Sequence, residues 1–167
     1  MVTWPIEPIL TDRLTIRDAR SSDASLFERL YSDPEVRAYL GGPVAESDIP
    51  KRVAETPWRG VFTVEVTQTG EPIGLVHIGP YRTGEIELSY EFVPEVWGRG
   101  IAREACGPVL AWALREVTNG EPVIAVTQAG NDRSVALLRS LGMTERERFE
   151  EFGAEQVLMS TIPPQLD

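Results

Sequence analysis

At 167 residues, 42% apolar and 25% charged, the chain has the size and balance of one soluble globular domain with a sizeable core. Its formal charge of −10 argues against nucleic acid as a partner, its single cysteine excludes an internal disulfide, and its single histidine leaves no zinc set. No apolar run approaches the ~20 residues that span a bilayer, so no membrane association is expected. Met1-Val2-Thr3-Trp4-Pro5 lacks the basic-then-apolar order of a secretory signal, and the expected compartment is a reducing cytoplasm.

Leu10 to Arg17 alternates apolar and polar residues, which predicts a strand. Ser21-Ser22-Asp23 then offers capping oxygens to an amphipathic helix carrying Leu26, Phe27 and Leu30. A short second helix is predicted over Pro34 to Leu40, stopped by Gly41-Gly42-Pro43, and another over Ala45 to Thr56. Val61 to Val66 and Pro72 to Ile78 read as a hairpin around Thr67-Gln68-Thr69-Gly70. After a turn at Tyr81 to Gly84 comes a strand from Glu85 to Val93. Period-two alternation puts Glu85, Glu87, Ser89 and Glu91 on one of its faces and Ile86, Leu88, Tyr90 and Phe92 on the other. A helical pattern then runs to about Val117, with Ala105, Val109, Trp112 and Ala113 in one stripe. Pro122 to Val126 is a short apolar strand. Asn131 to Leu141 is a helix stopped by Gly142, and Met143 to Ile162 a closing hairpin turning near Gly153. The order predicts a mixed α/β sheet, mostly antiparallel and flanked by helices, in a single domain over 1–167.

The most informative stretch is Pro94-Glu95-Val96-Trp97-Gly98-Arg99-Gly100-Ile101-Ala102-Arg103-Glu104-Ala105. A glycine-punctuated turn entering a helix presents backbone N–H groups at the end of an aligned peptide dipole, a receptor for phosphate oxygens. Gly98 and Gly100 permit φ values that a Cβ penalises, and Arg99 and Arg103 add positive charge. The spacing is not a dinucleotide fingerprint, whose last position would fall on Arg103, and no Walker lysine occurs. Beyond ~8 Å at physiological salt exposed charges are screened, so this local cluster outweighs the remote carboxylates.

Three stretches, taken together and in this order, resemble the GNAT superfamily of N-acetyltransferases, in particular the branch that acetylates ribosomal-protein N-termini. They are Leu10-Thr11-Asp12-Arg13-Leu14-Thr15-Ile16-Arg17 with Asp33-Pro34-Glu35-Val36, Glu87-Leu88-Ser89-Tyr90-Glu91-Phe92 through Ala105, and Asn131-Asp132-Arg133-Ser134 through Gly142-Met143. The chain departs from the family pattern in having Ser89 for Gly and Met143 for Phe. The resemblance implies an acyl-CoA N-acyltransferase fold whose fourth and fifth strands splay to admit the pantetheine arm. It implies acetyl-CoA as co-substrate, no metal, and direct attack of a primary amine on the thioester, the amine being a protein N-terminus or a small molecule. Homodimer formation is left open.

By position in that pattern, Trp97, Gly98, Arg99, Gly100, Ile101, Ala102, Arg103 and Asn131 are expected to hold the cofactor, with Trp97 mainly packing. Glu87 is expected to handle the amine proton, with Glu85 as runner-up and water as the third route. Ser134 is expected to support the leaving thiolate, because Leu138 stands where other branches carry a tyrosine. The competing reading is a solvated acidic strand face and a plain helix serine, in a non-catalytic acyl-CoA-binding domain. An α-amine ordinarily titrates near pH 8 and a lysine near 10.4, so the α-amine costs roughly 3 kcal/mol less to deprotonate and suits so modest a pair. His77 reads as a partly exposed sheet residue, Cys106 as an inert buried thiol, and Trp4, Tyr31, Tyr39 and Trp58 as core or pocket aromatics.

Overall fold

The computed structural model describes residues 7–118 and 120–161; Trp4, with the rest of 1–6, and Ile162 lie outside them. The chain opens with a two-residue strand, β1 (Ile9–Leu10), paired to β2 (Leu14–Asp18). In β2 the alternation read from the sequence is realised, with Leu14 and Ile16 fully buried and Thr15 and Arg17 on the other side. Helix α1 (Ala24–Ser32) follows, then α2 (Ile49–Glu55), β3 (Val61–Val66), β4 (Pro72–Pro80) and β5 (Ile86–Phe92). Helix α3 (Ile101–Glu116), β6 (Val123–Gln128), α4 (Asp132–Ser140), β7 (Thr144–Glu151) and β8 (Ala154–Ser160) complete the fold.

The strands form one eight-stranded sheet in the order β1-β2-β3-β4-β5-β6-β8-β7. Every neighbouring pair is antiparallel except β5 and β6. That parallel pair is held only at Ile86 with Val123 and Glu87 with Ile124. Beyond those positions β5 stays paired to β4 as far as Phe92, and β6 to β8 as far as Gln128, so the two strands part and leave an opening.

Each face of the sheet is covered. On one side α3 buries Ala105, Val109, Trp112 and Ala113, with the Trp112 ring edge-on to Phe62 at 5.4 Å. On the other, α1 buries Leu26, Phe27, Leu30 and Tyr31. The valine, leucine and phenylalanine side chains among these each contribute about 1.5–3 kcal/mol on full burial. The start of α1 is tied to the sheet by Asp23, which accepts from both terminal nitrogens of Arg17 at 2.9 and 2.8 Å and from the Thr63 hydroxyl at 2.8 Å.

Two predicted helices differ from what forms. Residues 34–40 are a succession of turns: Asp33 Oδ1 caps the N–H groups of Glu35 and Val36, but Ala38 and Leu40 close short turns onto the Glu35 and Arg37 carbonyls and no helical ladder continues. The helix predicted from Ala45 begins only at Ile49, where Pro50 fits the first turn.

Candidate active site

The glycine stretch stands at the mouth of the β5–β6 opening. Gly98 and Gly100 both adopt left-handed φ, +71° and +75°, and Gly100 is the residue from which α3 starts. Among the described residues, the N–H groups of Gly98, Arg99, Gly100, Ile101, Ala102 and Arg103 make no hydrogen bond to a protein acceptor. Arg99 and Arg103 are exposed and form no ion pair among the described residues. Six consecutive donors left open at the start of a sixteen-residue helix make a cradle for a polyanion.

The cradle is braced from behind by β1 and β2. Glu104, in the first turn of α3, accepts from the Thr11 hydroxyl at 2.6 Å, the Arg13 N–H at 2.9 Å and Arg13 Nε at 2.7 Å. Arg13 Nη1 also donates to the Arg99 carbonyl at 3.1 Å. Trp97 uses its indole N–H on the Phe92 carbonyl at 2.9 Å, and Arg133 of α4 lies over its ring at 4.9 Å. The tryptophan therefore packs, and Arg133 brings a third cation to the mouth. Nothing local in the sequence marks Arg133 for this place, because only the fold sets α4 beside the loop.

Across the opening, Asn131 caps α4 by accepting the Ser134 N–H at 3.2 Å. Ser134 Oγ lies 2.6 Å from the Tyr90 hydroxyl. Burial pushes the Tyr90 phenol well above its ordinary pKa, so it stays protonated as a hydrogen-bond donor. Strand alternation had assigned Tyr90 only to the apolar face of β5; its contact with Ser134 spans 44 residues of chain and has no local signal.

The acidic face of β5 is not simply solvated. Glu85 is engaged by both terminal nitrogens of Arg146, which holds its carboxyl below the usual range. Glu91 is paired with Arg37 Nη1 at 3.0 Å, yet burial lifts its carboxyl above the usual range. Among the described residues Glu87 forms no ion pair. Burial raises its pKa, opposed by the Val126 N–H and by Arg82, at the last residue before β5 and β6 part. Of the three, Glu85 and Glu91 are ion-paired to arginines and Glu87 is not, among the described residues.

A cavity of about 250 Å³ opens on the α1–α2 side of the sheet. Its floor includes His77 of β4 with Ser89 and Glu91 of β5, and its walls carry Tyr31, Arg37, Arg52 and Trp58. Glu87 is not among its lining residues. Tyr31 and Trp58 thus line a pocket, while Tyr39 is an exposed residue outside that lining. Cys106 is buried, and burial raises its thiol pKa far above the ordinary value. Among the described residues no group of histidine, cysteine and acidic side chains is placed to hold a metal ion, and no helix is long and apolar enough to cross a membrane.

Comparison with known proteins places this sheet, parting between β5 and β6, in a known family. Residues 13–144 match the acetyltransferase (GNAT) domain family, and the chain belongs to it. Proteins of this family move an acetyl group from acetyl-CoA to an amine. An uncharacterized N-acetyltransferase, p20, from Bacillus licheniformis is 26% identical over 157 residues, covering 88% of each chain. Among solved structures, a GNAT-family acetyltransferase from Bacillus anthracis superposes with a TM-score of 0.81 at 22% identity, over 92% of this chain and 96% of that one. The ribosomal-protein-S5-alanine acetyltransferase of Vibrio fischeri gives 0.77 at 17% identity, over 95% and 97%. The spermidine N-acetyltransferase of Vibrio cholerae, solved with CoA and spermine, gives 0.73 at 22% identity, over 90% and 95%. At these identities the three structures speak for the fold.

Proposed function

We propose that this protein transfers an acetyl group from acetyl-CoA to a weakly basic primary amine, such as the α-amine of a peptide or a small molecule. The observation that carries the reading is the run of unpartnered N–H groups from Gly98 to Arg103 at the mouth of the β5–β6 opening. A pyrophosphate seated there directs the pantetheine arm along the unpaired edge of β5. The thioester then comes between Ser134 on one side and the cavity floor on the other.

Glu87 and Ser134 are assigned as the polar groups that flank the reacting carbonyl. Ser134, with Tyr90 behind it at 2.6 Å, supplies a hydrogen bond to the developing thiolate. Glu87 draws the acceptor cation toward the point where the strands part. No covalent intermediate on the protein is needed.

The cavity supports a weakly basic acceptor over a polyamine. A polycation needs several free carboxylates, whereas the one carboxylate lining the cavity, Glu91, is already paired with Arg37, and Arg52 adds a further positive charge. One neighbour by fold acts on a protein alanine N-terminus and another on spermidine, and the charge balance favours the first kind of acceptor.

The test is release of CoA thiol from acetyl-CoA against an alanine-terminated peptide, glycinamide and spermidine, with CoA binding followed by calorimetry. Turnover on the α-amines with little on spermidine is expected. CoA binding with no turnover on any amine would instead indicate a domain that only binds acyl-CoA.

A further inference from the structure

We propose that His77 takes the proton of the acceptor amine in the cavity on the α1–α2 side of the sheet. The proposal rests on the reading of the protein as an acetyl-CoA-dependent N-acetyltransferase. His77 is the only histidine of the chain. It stands on β4 opposite Val61 of β3 and Ser89 of β5.

The ring is held on three sides. Nδ1 lies 3.3 Å from Ser89 Oγ, and Trp58 Nε1 lies 3.4 Å from Nε2. The Trp58 and His77 rings meet edge-on with centroids 5.5 Å apart. Beneath the ring is Gly79, where a Cβ would come within 2.6 Å of Nε2. Only glycine there leaves the imidazole this seat against the sheet.

These contacts set the tautomer. An indole N–H only donates, so Nε2 is the lone-pair nitrogen and Nδ1 carries the proton, directed to Ser89. That lone pair is capped by a long contact from Trp58, a side chain 50% exposed at the cavity edge. An entering amine replaces the indole N–H and places its own N–H on Nε2.

Burial lowers the imidazole pKa below the usual histidine range, so the ring is neutral near pH 7 and ready to accept. The charged and titratable groups around it are Tyr31 from α1, Arg37 from the turns that follow, Arg52 from α2 and Glu91 from β5. Glu87 of β5 lies opposite Gly79.

In the reaction an ammonium gives one of its three protons to Nε2. The freed lone pair forms the N–C bond to the acetyl carbonyl carbon, and the C–S bond breaks with its electron pair on sulfur. A second N–H proton ends on that sulfur, by way of the Ser134 hydroxyl or water, and the third stays in the amide. His77 then returns its proton to water.

The experiment is the pH profile of kcat/KM for the fastest of the alanine-terminated peptide, glycinamide and spermidine, beside an NMR titration of the single histidine. Wild type, His77→Gln and Trp58→Phe are compared. A base must be neutral, so wild-type activity is expected to fall as pH drops through the histidine pKa read by NMR, below the ordinary ~6.5. His77→Gln is expected to lose about 10²-fold in turnover and to lose this limb, while keeping its affinity for CoA and the amine's own limb. Trp58→Phe removes a donor that stabilises the neutral ring, and is expected to move the limb and the NMR pKa upward together.

Wild-type turnover or an unchanged low-pH limb in His77→Gln overturns the proposal and leaves acetyl transfer standing. Should His77→Gln fail to fold, a kinetic limb that parts from the NMR pKa in Trp58→Phe overturns it equally. Wild-type protein that acetylates no amine removes the transferase reading and this proposal with it.

Discussion

The two sides of the β5–β6 opening are finished in opposite ways. At the α3 end, backbone N–H groups from Gly98 to Arg103 and the guanidiniums of Arg99 and Arg103 are left without partners among the described residues. On the α1–α2 side nearly every polar group is already engaged: Glu91 with Arg37, His77 with Ser89 and Trp58, and Tyr31 with Thr56 at 2.5 Å. A site that leaves donors open waits for a ligand whose charge it cannot supply itself. A site that satisfies itself must exchange contacts for its ligand, so small changes in partner chemistry decide what enters. Under the proposed function, donor recognition rests on backbone geometry and acceptor choice on side chains.

That contrast breaks first at Gly100, the largest effect expected. A Cβ there meets nothing closer than Arg13 Nη2 at 3.6 Å, so Gly100→Asp fits, with about 1–2 kcal/mol of strain from its left-handed φ. Its carboxylate occupies the cradle and repels phosphate. CoA affinity is expected to fall about hundredfold by calorimetry, equal to roughly 2.8 kcal/mol. Unchanged affinity would place the pyrophosphate elsewhere.

Ser134→Ala comes next. Removing a donor to a developing oxyanion costs about 10²–10³-fold, but sulfur spreads its charge over a larger atom, so about tenfold in kcat is expected, with CoA affinity kept. Tyr90→Phe acts only through Ser134 and is expected to cost less, about threefold. Equal losses in both would make the tyrosine, rather than the serine, the group nearest sulfur.

Much of the structure at the α3 end was legible in the sequence because its signals are local. Gly98 and Gly100 announce a turn, the apolar stripe of α3 announces a helix, and Asn131 announces a cap, each within a few residues. The parallel contact of β5 with β6, the Tyr90–Ser134 pair and the seat of His77 against Ser89 and Trp58 join segments far apart in the chain. Residues 34–40 start with a helix-type cap at Asp33, but Arg37 then binds the carbonyls of Leu40 and Gly42 and Glu91 of β5, a distant partner with no local signal. The acidic face of β5 was read correctly as a face, yet which carboxylates it leaves unpaired depends on Arg37 and Arg146, contributed by distant turns and by β7.

The acceptor side yields a gentler test. Arg52 rests near the Tyr31 ring, 5.9 Å from its centroid, and makes no ion pair among the described residues. Arg52→Glu turns the cavity's unpaired charge negative and is expected to shift the ratio of kcat/KM for spermidine over the alanine-terminated peptide upward about fivefold. CoA affinity should stay put, since Arg52 lies on the opposite side of the sheet from the cradle. A ratio that does not move would place the acceptor's charged end outside this cavity.

The smallest effect expected concerns the brace behind the cradle. Arg13→Met removes the side-chain bonds to Glu104 and to the Arg99 carbonyl, keeps the Arg13 backbone N–H on Glu104, and leaves the open N–H groups themselves untouched. The loop then has more freedom to lose when pyrophosphate binds, so the CoA Kd is expected to rise about threefold while kcat holds. Burial pushes the Glu104 carboxyl up, but the Thr11 hydroxyl and the Arg13 N–H and guanidinium outweigh it and hold the group below the usual range. A carboxyl with a depressed pKa keeps its bonds at all pH above that value, so the threefold gap should be constant across neutral pH and close only as Glu104 protonates in acid. Glu104→Gln should weaken CoA in the same direction, and the double variant should be no worse than the worse single one. Additive losses would mean that Arg13 acts on the phosphates as a charge rather than on the loop as a brace.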